Sequence, residues 1–182
     1  VGSPFEDSNA TGIGGIQTDN SSSAAGATYV FTFSATWSQQ AYVKASNTDA
    51  SPVGAGDQFG SSVGLSENGD TLVVAAPQED SNAIGVGGTQ TNNTAPNSGA
   101  VYTFKRVTST WSQEAYVKSS NTGTDDQFGF SLSVADVESP SSTPSRTLAV
   151  GAPFEDSNAT GVQPGTTTGN NSTTDAGAAY LY

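Results

Sequence analysis

Val1-Gly2-Ser3-Pro4-Phe5-Glu6-Asp7-Ser8-Asn9-Ala10-Thr11-Gly12 opens the chain, and the phrase returns at Val150–Gly161 with one change, Ala152 in the place of Ser3. A looser copy, Val74-Ala75-Ala76-Pro77-Gln78-Glu79-Asp80-Ser81-Asn82-Ala83-Ile84-Gly85, lies between them. The prolines fall at 4, 77 and 153, a period of 73 to 76 residues. Self-similarity at a fixed period marks a repeat architecture and outranks any local reading of secondary structure. The chain is an array of one supersecondary unit.

Aligning the copies yields four apolar runs per period. Phe59–Leu65, matched by Phe128–Val134, places Phe, Val and Leu at alternate positions, the pattern of a half-buried strand. Thr71–Ala76, matched by Thr147–Ala152, is nearly continuous in apolar and small residues and predicts a strand buried on both faces. Gly99–Phe104 is matched by Gly26–Phe31 and Gly177–Tyr182, and Trp111–Lys118 by Trp37–Lys44. Asn68-Gly69 between the first two runs is a strong hairpin signal, because both residues tolerate positive φ. In the other copy Asp136–Arg146, rich in proline and serine, takes its place and predicts a solvent-exposed loop. Roughly twenty polar residues separate the second and third runs, and loops of that length are usually functional or mobile. No segment has helical periodicity. The fold expected is all-β: tandem four-stranded antiparallel blades of the β-propeller type, about two and a half repeats.

Composition narrows the partners. The net charge is −12, and the cations are Lys44, Lys105, Arg106, Lys118 and Arg146. They are too few and too scattered for nucleic-acid binding by counterion release, and they disfavour an anionic membrane surface. No run approaches the roughly 18 apolar residues of a membrane helix. With no His and no Cys, the usual general base near neutral pH, the thiolate nucleophile and the zinc-thiolate site are all missing. Low Lys with abundant Ser, Thr and Asn suits a secreted or cell-surface protein.

Phe128-Gly129 with Gly151-Ala152-Pro153, and the degenerate Phe59-Gly60 with Ala75-Ala76-Pro77, resemble the FG-GAP repeat of integrin-alpha-like β-propellers. The third run, Gly-Ala-x-Tyr-x-Phe/Tyr, fits the same resemblance. The repeated Trp-x-x-x-Ala-Tyr-x-Lys and Glu-Asp-Ser look closest to its bacterial and archaeal surface-protein branch. In that phasing residues 1–58 hold the last three strands of a blade plus a linker. Residues 59–127 hold a complete blade plus a linker, and 128–182 the first three strands of another. Ten strands do not close a ring of four to eight blades. The incomplete blades therefore call either for other copies of the chain, joined head to tail as a polymer or ring, or for flanking repeats of a longer chain.

The loops carrying Glu6, Asp7 and Asn9, Glu79, Asp80 and Asn82, and Glu155, Asp156 and Asn158 are the candidate metal sites. Hard oxygen donors so spaced suit Ca²⁺. The same residue types also make plain turns by folding back on their own backbone. Many FG-GAP propellers hold calcium through Asp-x-Asp-x-Asp-Gly between the first and second strands. Ser66-Glu67-Asn68-Gly69-Asp70 and the proline-rich insert do not match, so that site is not carried over.

Asp57 and Asp126, each just before a Phe-Gly, are expected to start strands, with the Phe packing between blades and the Gly permitting close approach. Trp37, Trp111, Tyr42 and Tyr116 have the size and polarity to stack on sugars, but their repeat positions favour packing. Asn-x-Ser/Thr glycosylation sequons occur at Asn9, Asn20, Asn92, Asn158, Asn170 and Asn171, all in long loops. No catalytic residues are assigned, because no base stands beside any serine and neighbouring carboxylates do not face each other. The expected role is a non-catalytic extracellular structural or adhesion repeat protein. The alternative is a module that binds carbohydrate or a surface protein, appended to a secreted enzyme. A third reading, carboxylates paired across blades for catalysis, is weaker.

Overall fold

The computed structural model describes residues 1–48, 56–137, 145–163 and 170–182. They form ten strands and no helix: β1 (Gly2–Ser3), β2 (Ala27–Phe33), β3 (Trp37–Val43), β4 (Ser62–Leu65), β5 (Thr71–Ala76), β6 (Ala100–Val107), β7 (Thr110–Val117), β8 (Ser131–Val137), β9 (Ser145–Ala152) and β10 (Ala178–Leu181). No helix long and apolar enough to cross a membrane occurs among the described residues. The strands pair antiparallel into three sheets, β1-β2-β3, β4-β5-β6-β7 and β8-β9-β10. This is the all-β architecture of propeller-type blades that the periodicity predicts.

β5 explains the stacking. Every residue from Thr71 to Ala76 is buried, because the middle sheet has a neighbour on each face. Leu72, Val74, Ala76, Tyr102, Phe104, Trp111 and Tyr116 close one core with Ala41, Val43 and Ala45 of the first sheet. The alternate residues Val73, Ala75, Val101 and Val117 close the other with Phe128, Leu148, Val150 and Ala152 of the third. Side chains of period two that point to opposite faces, each face buried, produce the nearly continuous apolar run seen in the sequence.

The two tryptophans show the same logic from outside. Trp111 is buried, and its indole N–H donates to Gln40 Oε1 of the first sheet at 2.9 Å. The Arg106 guanidinium lies 5.5 Å from the indole ring centre. Trp37 occupies the matching position but is 71% exposed, because no sheet covers its face among the described residues. Packing thus describes Trp111, Tyr42 and Tyr116, and not Trp37. Trp111→Ala is expected to cost about 3 kcal/mol and Trp37→Ala within about 0.5 kcal/mol, measured by urea unfolding.

Three local details differ from the sequence expectation. First, Phe59-Gly60 and Phe128-Gly129 precede their strands instead of beginning them. Each lies in a tight turn, with Ser61 N–H donating to Gln58 O at 3.1 Å and Phe130 N–H to Gln127 O at 3.0 Å. Gln58 and Gln127 hold positive φ there, a conformation imposed by the junction described below, so Asp57 and Asp126 start no strand. Second, only Gly69 has positive φ in the Asn68-Gly69 turn. Gly69 N–H donates to Ser66 O and Ser66 N–H to Thr71 O, each at 2.9 Å, so the hairpin closes through a longer loop. Third, the Asp136–Arg146 segment is not all loop. β8 and β9 continue into it, Asp136 pairing with Arg146 and Val137 with Ser145, while 138–144 lie outside the described residues.

Candidate functional site

The chemistry-bearing residues converge where one sheet meets the next. At the first junction the Phe59 backbone is clasped by the first sheet, Phe59 N–H donating to Ala25 O at 3.2 Å beside Gly26. The Phe59 ring is buried edge-on against Tyr102 and Phe104 at 5.3 and 6.2 Å. The second junction repeats this with Phe128, Ser98 O at 3.0 Å, and the rings of Tyr180 and Tyr182 at 5.4 and 6.1 Å. A Cβ on Gly99 would sit 2.2 Å from Phe128 O, and one on Gly26 2.1 Å from Phe59 O. Glycine is required at both by contact as well as by φ.

Beside each clasp lies a Glu-Asp loop. Glu79 is 1% exposed and receives four donors. These are Lys118 Nζ at 2.8 Å on Oε2, Ser81 N–H at 3.2 Å on Oε2, Tyr116 OH at 2.8 Å on Oε1, and Asn47 Nδ2 at 3.0 Å on Oε1. Lys118 also donates to Ser98 Oγ at 2.7 Å. Burial pushes the Lys118 ammonium below its ordinary pKa, and Glu79 opposes that shift. Burial likewise raises the Tyr116 hydroxyl, with Glu79 adding to the effect, so Tyr116 stays a donor. In the first sheet Lys44 Nζ meets Glu6 Oε2 at 2.9 Å. In the third, Glu155 is buried and accepts from Asn121 Nδ2.

The aspartates have a separate, thrice-repeated task. Asp7, Asp80 and Asp156 each use Oδ1 to accept a backbone N–H from the far end of the loop: Ala24, Asn97 and Asp175, each at 2.8 Å. The third residue of the motif closes the loop's waist. Asn9 N–H donates to Asp19 Oδ1 and Asn82 N–H to Asn92 Oδ1, both at 3.0 Å, and Asn158 Oδ1 accepts from Asn170 Nδ2 at 2.9 Å. The nine residues put forward for calcium thus lie together in sequence but turn to different partners. The Lys118 ammonium stands 2.8 Å from Glu79 Oε2. No group of three or more acidic side chains placed to hold a metal occurs among the described residues.

Asn47 and Asn121 were not singled out by sequence, yet they bridge sheets. Asn47, in the linker after the first sheet, donates to Glu79 of the second and accepts from Tyr102 OH at 2.6 Å. Asn121 does the same between the second and third, with Glu155 and Tyr180. The adjacent Thr48 and Thr122 hydroxyls donate to Ala10 O and Ala83 O at 2.8 and 2.7 Å. The signal was present: Ser-Asn-Thr occurs at 46–48 and again at 120–122, both after the fourth-strand lysine. Among the sequons, Asn92 is used as a loop staple, its amide donating to Ser81 Oγ and Thr89 O at 3.3 and 3.4 Å. Asn9, Asn20, Asn158 and Asn171 are exposed, and Asn170 is half-buried.

Residues 37–104 match the family model of the FG-GAP repeat. Over that stretch the chain is similar to an FG-GAP repeat. The matched stretch runs from Trp37 at the start of β3 to Phe104 within β6, so it straddles the junction between two sheets and includes the Phe59-Gly60 clasp, Pro77 and the Glu79 loop. No curated protein matches the sequence.

Asp126 adds a pH dependence to the second junction. It is 2% exposed, and burial, with Glu155 and Asp156 nearby, pushes its carboxyl up to about 6, against a hydrogen bond from Gly123 N–H that lowers it. The ordinary value is 3.8. A carboxyl raised on folding favours the folded state fully below its unfolded pKa, and that contribution is lost as pH rises through about 6. Asp126→Asn is therefore expected to raise stability by on the order of 2 kcal/mol at pH 7.5. The gain should vanish toward pH 4, as followed by melting temperature across that range.

Proposed function

We propose that the chain is a non-catalytic structural and adhesive repeat module of an extracellular surface, built to join further repeats of its own kind at its two outer sheets. One observation carries this reading. In the complete repeat the two carboxylates that offer chemistry are both occupied by the fold, Glu79 by Lys118 and Tyr116, and Asp80 by the Asn97 N–H. A buried carboxylate already paired with an ammonium and hydrogen-bonded on both oxygens is a poor general base and a poor metal ligand, but a strong positional lock. The acidic balance, −12 overall, favours a highly solvated surface and disfavours nucleic acid as a partner.

The test is a panel of ester, phosphate and glycoside substrates with the purified chain. No turnover above the uncatalysed rate is expected. Turnover that disappears on replacing a single carboxylate, Glu79 or Asp126 for instance, would overturn the reading and favour catalysis across the sheets.

A further inference from the structure

Lys118 and Glu79 are sealed from solvent, their side chains 0% and 1% exposed and their charged atoms 2.8 Å apart. Burial penalises both charges, and an amine stripped of water is a nucleophile. The carboxylate is held asymmetrically. Oε2 faces Lys118 Nζ and Ser81 N–H, while Oε1 accepts from Tyr116 O–H at 2.8 Å and Asn47 Nδ2 at 3.0 Å. Two donors converging on one oxygen stabilise the negative charge that develops there when the carboxyl carbon is attacked.

A second buried carboxylate lies beside the pair. Asp57 is 3% exposed, and its backbone carbonyl accepts Gln78 N–H at 3.3 Å, next to Glu79. Its charge acts on Lys118, Tyr116 and Tyr102. The first sheet offers an internal comparison. Lys44 Nζ meets Glu6 Oε2 at 2.9 Å, but Tyr42, which matches Tyr116, makes no hydrogen bond through its hydroxyl. No amide donor reaches the Glu6 carboxylate among the described residues. That pair has the nucleophile and the carboxylate without the two donors.

We propose that Lys118 and Glu79 condense within the folded chain into a side-chain amide, which ties the long loop of the second sheet covalently to the end of β7. One proton crosses from Nζ to Oε2, leaving a neutral amine and a neutral carboxyl. Nζ then forms a bond to Cδ, and the charge gathered on Oε1 is held by Tyr116 and Asn47. Asp57 carries a second proton from Nζ to Oε2, the Cδ–Oε2 bond breaks, and Oε2 leaves as water. An ammonium and a carboxylate become one amide and one water molecule. Nothing is oxidised or reduced, and Asp57 returns to its starting state. Holding the two groups in contact makes the step intramolecular, and the product buries no charge. Lys44 and Glu6, without the two donors, remain an ion pair.

The test is the intact mass of the 182-residue chain, taken by mass spectrometry after full denaturation. The expected mass lies one water molecule below that of the sequence. Fragmentation of a protease digest should join the peptide holding Glu79 to the one holding Lys118. Lys118→Met should show the full mass of its own sequence. Asp57→Asn should keep the parent's circular dichroism and yet accumulate unlinked chain. The parent measurement decides the proposal even if neither variant folds. A parent chain at the full mass of its sequence, or a water deficit that maps to Lys44 and Glu6, would overturn it.

Discussion

Gly99→Ala is expected to destabilise the chain by about 4 kcal/mol, while the same change at Gly177 costs about 1 kcal/mol. Both glycines have positive φ, 82° and 75°, so both alanines carry the left-handed backbone penalty. The difference lies across the junction. An alanine Cβ at 99 would stand 2.2 Å from Phe128 O, whereas at 177 the nearest atom is Pro153 O at 3.1 Å. Relieving the first contact means separating the second and third sheets and loosening the buried Phe128 ring, which is worth a further ~2 kcal/mol. Urea unfolding of the two variants side by side checks this. Equal losses would mean that the clasp contributes nothing beyond backbone conformation.

Lys118→Met is expected to cost about 4 kcal/mol at neutral pH, because it leaves Glu79 charged and buried without its counterion. Tyr116, Asn47 and Ser81 still donate to the carboxylate, but none carries a positive charge. Urea unfolding of the variant beside the parent reads the loss. A loss of about 1 kcal/mol or less would mean that Lys118 acts by packing its aliphatic stem alone.

How much of this was legible in the sequence depends on the distance over which each feature acts. The strands were legible because Thr71–Ala76 and Gly99–Phe104 carry their patterns within a few residues, and the repeat fixes their order. The hairpin at Asn68-Gly69 was placed correctly but not its geometry, since Ser66 and Thr71 close a longer loop. The Phe-Gly pair was misplaced by local pattern. Alternation of Phe59 with Val63 and Leu65 resembles a strand, yet the clasp by Ala25 and Gly26 turns the backbone before β4 begins.

The Glu-Asp loops were found as sites of interest, but their partners lie 38 or 39 positions away, at Lys44 from Glu6 and Lys118 from Glu79. Loop composition holds no record of which cation arrives. The recurrence of Tyr-x-Lys and Ser-Asn-Thr at the same period was the available signal. Lysines buried at two equivalent positions, in a chain with only five cations, each need a carboxylate partner, and the loop glutamates recur at the same period.

In the first two sheets the loop glutamate serves as the lysine acceptor that locks the long loop to its sheet. A double-mutant cycle on Glu79 and Lys118, with Glu79→Gln, Lys118→Met and the pair unfolded in urea, tests it most directly. The account predicts a coupling energy of about 2 kcal/mol or more, the double variant being more stable than the sum of the single losses implies. Losses that add with no coupling would contradict it.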